Sequence, residues 1–337
     1  MPLKDTDYLY SSARIRAASG SITPREQLER LLDAADVTEL LALIRGNESP
    51  SEGASVTALL DAALDDRVAQ AVALAETSVP EPALLDFLLY QYDCTNIKTA
   101  VKCMLRGINP IPSDMLYRCG TVAPDLLAEM VMERSFGALP PHMAEAVPAA
   151  LDSYMKTKDP RMIDFLLDAA CYADIIGAAA NCGSPLLLSM MRQKADYANL
   201  MTYLRTVRSF DRDSEAGLSS LRNALVPGGL LEEKLFTDAY VNPDADAFAN
   251  ALKTTEYRAL AETVTAGLPF SEMEKICDDL WLSNLQQVKF QAFGIEVIAQ
   301  YIISTEYEAK NCRIIRAGLT AGQSADKIRE KVRFGYV

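Results

Sequence analysis

The sequence predicts an all-α protein made of three related helical lobes. Three observations carry that prediction. Apolar residues recur at helical spacing along nearly the whole chain, and no run of alternating Val, Ile and Thr reads as a strand. The composition is 50% hydrophobic and 23% charged with only 7% aromatic residues, rich in Ala and Leu, which suits an ordered helical protein. The third is an acid-x-x-Asn pair on three long amphipathic segments: Asp93 with Asn96, Asp196 with Asn199, and Glu308 with Asn311. The copies lie about a hundred residues apart and read as an internal triplication. Lobe boundaries then fall at 1–110, 111–210 and 211–337.

Taken in order, DTDYLYSSARIRAAS (5–19) reads as a first helix that Gly20 stops. Thr23-Pro24-Arg25-Glu26 opens the next with a capping box, and its apolar face is Leu28, Leu31, Leu32 and Ala35. Asp36 can cap a third helix through Leu40, Leu43 and Ile44, and Gly46–Ser55 is a loop by composition. A helix over 55–76 precedes the first long segment. That segment is expected to start at an N-cap on Ser78, with Glu81 completing a capping box, and to end at Gly107. Its stripe is Phe87, Tyr90, Cys94, Ile97, Val101 and Met104, and the opposite, polar face holds Asp93, Asn96, Thr99 and Arg106.

Ile108–Ser113 is a proline-bearing break, two short helices follow within 113–135, and Gly137–Pro148 reads as a proline-rich connector. Helical spacing resumes from Ala149, and Asn181–Pro185 leads into the second long segment, Met190–Arg208. Phe210–Gly217 marks the next boundary. Helices are expected near 217–225, 229–240, 244–254 and 256–266, with Ser271 opening another. The third long segment runs from about Gly294 to Gly318, and a last helix capped by Ser324 carries the chain to Val337.

Charge and cysteine usage narrow the function. A formal net charge of −13 offers no excess of cations to neutralise phosphates, which argues against a nucleic-acid protein. Seven cysteines without a C-x-x-C spacing point to reduced, buried thiols in a cytosolic setting. No apolar run follows a basic start, so a secretory signal is not expected, and charges such as Glu296 interrupt the longest apolar stretches.

A catalytic constellation is hard to assemble from these residues. The single histidine, His142, follows two prolines and reads as a surface loop residue, and two-histidine metal sites are excluded. No phosphate-loop, dinucleotide or zinc-protease motif occurs, and Val226-Pro227-Gly228-Gly229 is a turn without a strand before it. The paired acids Asp65/Asp66, Glu232/Glu233 and Asp278/Asp279 read as solvated faces. We therefore expect no catalytic, cofactor-binding or metal-binding residue. The acid-x-x-Asn pairs read as structural hydrogen-bonding groups. The later halves of the long segments are basic, through Lys98, Lys102 and Arg106, then Arg205 and Arg208, then Lys310, Arg313 and Arg316. These cations either complement helix C-termini, at about 0.3–1 kcal/mol each, or form a basic surface for a partner. On the second view Arg106, Arg205, Arg208 and Arg316 are the candidate contacts.

Four stretches in register carry a resemblance. YLYSSARIRAAS with TPREQLERLLDAADVTELLALI, LLYQYDCTNIKTAVKCMLRG, KADYANLMTYLRTVR, and YEAKNCRIIRAGLTAGQSADKIREKVRFGYV together resemble the C subunit of the A/V-type ATP synthase, whose family includes the d subunit of the vacuolar ATPase. Ile163–Ile176 keeps that family's spaced acids at Asp164 and Asp168, whereas Gly46–Ser55 departs from its usual short turn. The resemblance implies a non-catalytic, funnel-shaped rotor part without a cofactor, cytoplasmic and peripheral to the membrane. It would sit on the membrane-embedded proteolipid ring and receive the coiled-coil shaft subunit and its small companion, for proton or sodium transport. A helical scaffold of an unrelated complex and a ligand-binding all-α domain are the competing readings.

Overall fold

The computed structural model describes residues 4–20, 25–45, 55–211, 214–242 and 245–335, and these are all-α, with no strand among them. The chain forms two compact units, one from residues 1–83 with 278–337 and one from residues 84–277. In chain order the helices are α1 (Leu9–Ser19), α2 (Arg25–Leu32), α3 (Val37–Arg45) and α4 (Val56–Glu76), then α5 (Asp86–Leu105), α6 (Pro124–Glu133), α7 (Pro141–Thr157), α8 (Arg161–Asn181) and α9 (Pro185–Ser209). There follow α10 (Glu215–Ala224), α11 (Glu233–Val241), α12 (Ala245–Lys253), α13 (Ala261–Thr265), α14 (Phe270–Ser283), α15 (Ile295–Thr320) and α16 (Ala325–Arg329).

In the unit that holds both ends of the chain, α15 is the central helix. Val297 to Thr305 includes eight buried residues on every side of the helix, broken only by Gln300, so the segment is enclosed rather than amphipathic. Helices α1, α2, α3, α4 and α16 pack on it. Leu28, Leu40, Leu60, Ile298, Ile302 and Ile315 are fully enclosed, and burying each such side chain stabilises the fold by about 1.5–3 kcal/mol. Local signals start these helices where expected. Asp36 Oδ1 accepts from the N–H groups of Thr38 and Glu39 at 2.8 and 2.9 Å, and Ser55 Oγ accepts from Ala58 at 3.2 Å. The capping box expected at Thr23 and Pro24, and the loop at 46–54, lie outside the described residues.

In the other unit α8 packs against α5, α7, α9 and α10, and α9 also carries α11. Ser184 caps α9 by accepting from Leu187 N–H at 3.3 Å, and Pro185 takes the first helical position, where a missing N–H is harmless. Tyr203, Phe236 and Phe248 form an aromatic cluster with centroids 4.7–6.3 Å apart.

Several local expectations are corrected. Ser78 does not open α5: its hydroxyl donates back to Leu74 O at the end of α4, Pro82–Leu85 forms a 3-10 turn, and the helix starts at Asp86. A serine at a helix end can serve either neighbour, and here the preceding helix claims it. The expected connector 137–148 is mostly helix, because Pro141 suits a first helical position and α7 tolerates Pro148 inside it. The last helix stops at Arg329 instead of running to Val337, since the Asn311 side chain of α15 holds the backbone of Arg333. Ser271 lies inside α14, one residue after its start.

All seven cysteines are buried free thiols, and burial raises the Cys312 pKa to about 12. A thiol reagent at neutral pH should therefore find almost no reactive cysteine in the native protein and seven after unfolding in guanidinium. Rapid labelling of two or more native thiols would contradict this packing.

Candidate functional site

One arrangement occurs on each of α5, α9 and α15. The Asn96 side-chain amide donates to Tyr117 O at 2.9 Å, and its oxygen accepts from Tyr117 N–H at 2.8 Å. Asn199 does the same with Val226, at 2.9 and 2.7 Å. Asn311 does so with Arg333, at 2.7 and 2.9 Å. In each case one asparagine satisfies both polar groups of a single residue's backbone in a segment that has no ladder or helix partner there. Asn96 and Asn311 are wholly enclosed and Asn199 nearly so. Asp93 is also wholly enclosed, so the second, polar face of α5 is turned inward at this pair.

The acid one turn earlier holds the same returning segment further along. Asp93 accepts from the Thr121 N–H and hydroxyl at 3.0 and 2.7 Å and from Val122 N–H at 3.2 Å. Asp196 accepts from Leu230 and Leu231 N–H at 2.7 and 3.1 Å, and from the Tyr257 hydroxyl. Glu308 instead accepts from Arg67 of α4 at 3.0 Å. Sequence reasoning does not single out the glycines that precede these donors. A Cβ on Gly120, which has φ +145°, would stand 2.3 Å from Asp93 Oδ1, and one on Gly229 would stand 2.0 Å from Asp196 Oδ1. The available signal is a glycine three residues after the clamped residue, in YRCG and VPGG.

Burial, only partly offset by these hydrogen bonds, raises the pKa of Asp93 and of Asp196. A raised carboxyl pKa means that the fold binds the proton more tightly than the unfolded chain does. The contribution to stability is full below the unfolded pKa near 3.8 and declines as pH rises through the folded value.

The cations in the basic halves of the long helices have two fates, pairing or exposure. On α5, Lys102 pairs with Asp164 at 2.5 Å and Lys98 with Asp168, so the spaced acids of α8 neutralise the cations of its antiparallel neighbour. On α15, Arg313 pairs with Asp65 at 2.5 Å and Arg316 with Asp61, both from α4. Lys310 and the buried Arg333 converge on Asp278, at 2.7 and 2.8 Å, and Tyr307 donates to the same acid at 2.8 Å. Asp65 and Asp278 are thus pairing groups and not the solvated faces expected of them. On α9, Arg205 and Arg208 are exposed, with guanidinium carbons 6.0 and 4.3 Å from the centre of the Phe270 ring. Arg106 is exposed at the end of α5.

His142 is not in a loop but in the first turn of α7. Its Nδ1 lies 2.7 Å from Asp174 Oδ1, and the enclosed Asp174 carboxylate also accepts from the N–H groups of His142 and Met143. Those bonds make Asp174 the anchor of a helix start. No group of metal-binding side chains occurs among the described residues. A cavity of about 700 Å³ lies among α3, α4 and α15, lined in part by Arg45, Asp66, Arg67, Gln70, Tyr301 and Thr305. Arg67 is committed to Glu308, and neither histidine nor cysteine faces this cavity among the described residues.

Asn199→Ala should lower unfolding free energy by about 1–3 kcal/mol, because two buried backbone groups of Val226 lose their partner. Equilibrium urea unfolding measures it, and an unchanged midpoint would mean that the clamp adds nothing. Asp93→Asn should show a larger stability deficit relative to the parent at pH 4 than at pH 7, since only the parent retains the titrating group. An equal deficit at both values would contradict a raised carboxyl pKa in the fold.

A family model described as ATP synthase (C/AC39) subunit matches residues 11–331. The chain is 24% identical to the C subunit of the A-type ATP synthase of Methanosarcina acetivorans, over 97% of this chain and 93% of the relative. It is 22% identical to that of Thermococcus kodakarensis, over 98% and 91%. It is also 22% identical to the C subunit of the V-type sodium ATPase of Enterococcus hirae, over 77% of each chain. No described helix is long and apolar enough to cross a membrane. With the match running through nearly the whole chain, this protein belongs to the ATP synthase (C/AC39) subunit family, a family of rotary ATPase subunits.

Proposed function

We propose that this chain is a non-catalytic central-stalk component of an A/V-type rotary ATPase. In that role it is the socket that joins the shaft to the membrane proteolipid ring and passes torque between them. The observation that carries the reading is the asparagine clamp made three times over by Asn96, Asn199 and Asn311. It supports a triplicated build, with lobes over 1–110, 111–210 and 211–337, because three long helices meet one packing problem with one solution. A torque-bearing adaptor needs stiffness rather than chemistry. Enclosed helices tied by buried two-bond clamps and by charge pairs along their length supply low compliance.

Contacts with a many-fold ring would be individually weak, and several lobes acting together would raise their effective concentration. The coiled-coil shaft and its small companion would occupy the other side of the socket. On this reading the protein works at the cytoplasmic face of the membrane as a peripheral member of the complex, without a cofactor. The names of the relatives and the match over nearly the full length support the assignment.

The test is affinity purification of tagged protein from detergent-solubilised host membranes, with identification of what comes with it. A proteolipid, a coiled-coil shaft protein and nucleotide-binding A/B-type subunits are expected together. Recovery of the chain alone from the soluble fraction would overturn the socket reading in favour of a scaffold in another complex.

A further inference from the structure

The basic end of α9 differs from those of the other two long helices in what it does with its charge. On α5 and α15 the cations Lys98, Lys102, Arg313 and Arg316 each meet a carboxylate from a neighbouring helix. Arg205 and Arg208 meet none among the described residues, although the chain as a whole carries thirteen more negative than positive groups. They stand three residues apart, one turn of the same helix, so both guanidinium groups emerge on one side of α9.

The site is also held in place. The Arg208 guanidinium carbon lies 4.3 Å from the centre of the Phe270 ring, and its Nη2 donates to Leu268 O at 2.5 Å. Stacking and one hydrogen bond fix the plane of the group and leave its other donors outward. Arg205 approaches the same ring at 6.0 Å. An ordered fork loses little rotamer freedom when it binds, which is the condition under which an exposed charge pair contributes to affinity and is more than solvated surface.

We propose that Arg205, Arg208 and Phe270 form a docking point for an acidic helical segment of a partner protein, one that presents two carboxylates a turn apart. Charge complementarity selects this occupant. Two guanidiniums one turn apart match two acids at i and i+3 or i+4, in the bidentate geometry that arginine favours. The partly open Phe270 ring accepts the aliphatic part of such side chains. A nucleic acid or an extended anionic membrane is disfavoured, since either would set the whole acidic chain against a long-range field of the same sign. The inference agrees with the socket reading but does not require it, because any partner with that face would serve.

The test replaces Ser209, exposed beside the pair on α9, with the photo-reactive p-benzoyl-phenylalanine in the full-length chain, irradiates growing cells, and maps the crosslinked peptide. An adduct on a helical segment with carboxylates three or four residues apart is expected. In parallel, R205E/R208E should keep the parent's circular dichroism and lose at most a few degrees of melting temperature, since only the Phe270 stacking and the exposed Leu268 hydrogen bond are removed. It should nevertheless recover the crosslinked partner about tenfold less well. R205K/R208K should keep part of the binding, and R222E on α10 should keep all of it. Parent recovery should fall as salt rises from about 50 to about 300 mM, where screening weakens exposed charge pairs. Crosslinks confined to this chain, or to lipid, nucleic acid or a segment without paired acids, would overturn the proposal. So would unchanged partner recovery by R205E/R208E. If the parent captures a partner through an acidic helix but no ATPase component, the socket reading fails while this surface stands.

Discussion

A buried asparagine amide paired with the backbone of one distant residue is the interaction on which the rest of this structure depends. Asn96, Asn199 and Asn311 each reach from a long helix to a segment that has left helical structure, one that is buried at Val226 and Arg333 and part-exposed at Tyr117. A segment with unmet N–H and C=O groups cannot be enclosed without a cost of about 1–3 kcal/mol for each orphan. The amide removes two such orphans at once, and in the first two instances the acid a turn earlier removes two more. The glycines that follow Tyr117 and Val226 leave room for those acids, since any side chain there would occupy the carboxylate's position. Helix, acid, amide and glycine form one device, and losing any member strands the others.

The charged groups divide along a similar line between internal and outward use. Lys98, Lys102, Arg313 and Arg316 look alike in sequence to Arg205 and Arg208, yet neighbouring helices answer only the first four with carboxylates. The pairs are partly exposed, and such pairs contribute only about 0–1 kcal/mol each. Their larger effect is to hold neighbouring helices in register and to remove those cations from the surface. Among the arginines weighed as partner contacts, exposed charge is then left at Arg106 and at the end of α9, where Phe270 orders it.

Much of the candidate site can be read from the chain, but not its orientation. The acid-x-x-Asn pairs stand out because they recur, and hydrogen bonding is the role their chemistry suggests. Amphipathic spacing sets Asp93 and Asn96 on the face opposite the apolar stripe, but it does not say what covers that face. The partner is backbone rather than side chain, and a backbone donor leaves no trace in the sequence. The glycines of YRCG and VPGG are legible only as turns, because what they make room for is a carboxylate far away in the chain.

Helical period, capping residues and breakers act over a few residues, so local chemistry suffices for the all-α class, the approximate place of most helices and the three positions that carry an amide. Packing was needed to decide that Ser78 ends one helix instead of starting the next, that the tail after Arg329 is clamped by α15, and which arginines remain outward. Each of these is a competition for one partner among groups that are brought together only in the folded chain. The amide partners stand 21, 27 and 22 residues away, and the acid that answers Arg316 stands 255 residues away. At such separations no local rule ranks the candidates, and the choice belongs to the arrangement that leaves the fewest buried polar groups unmet.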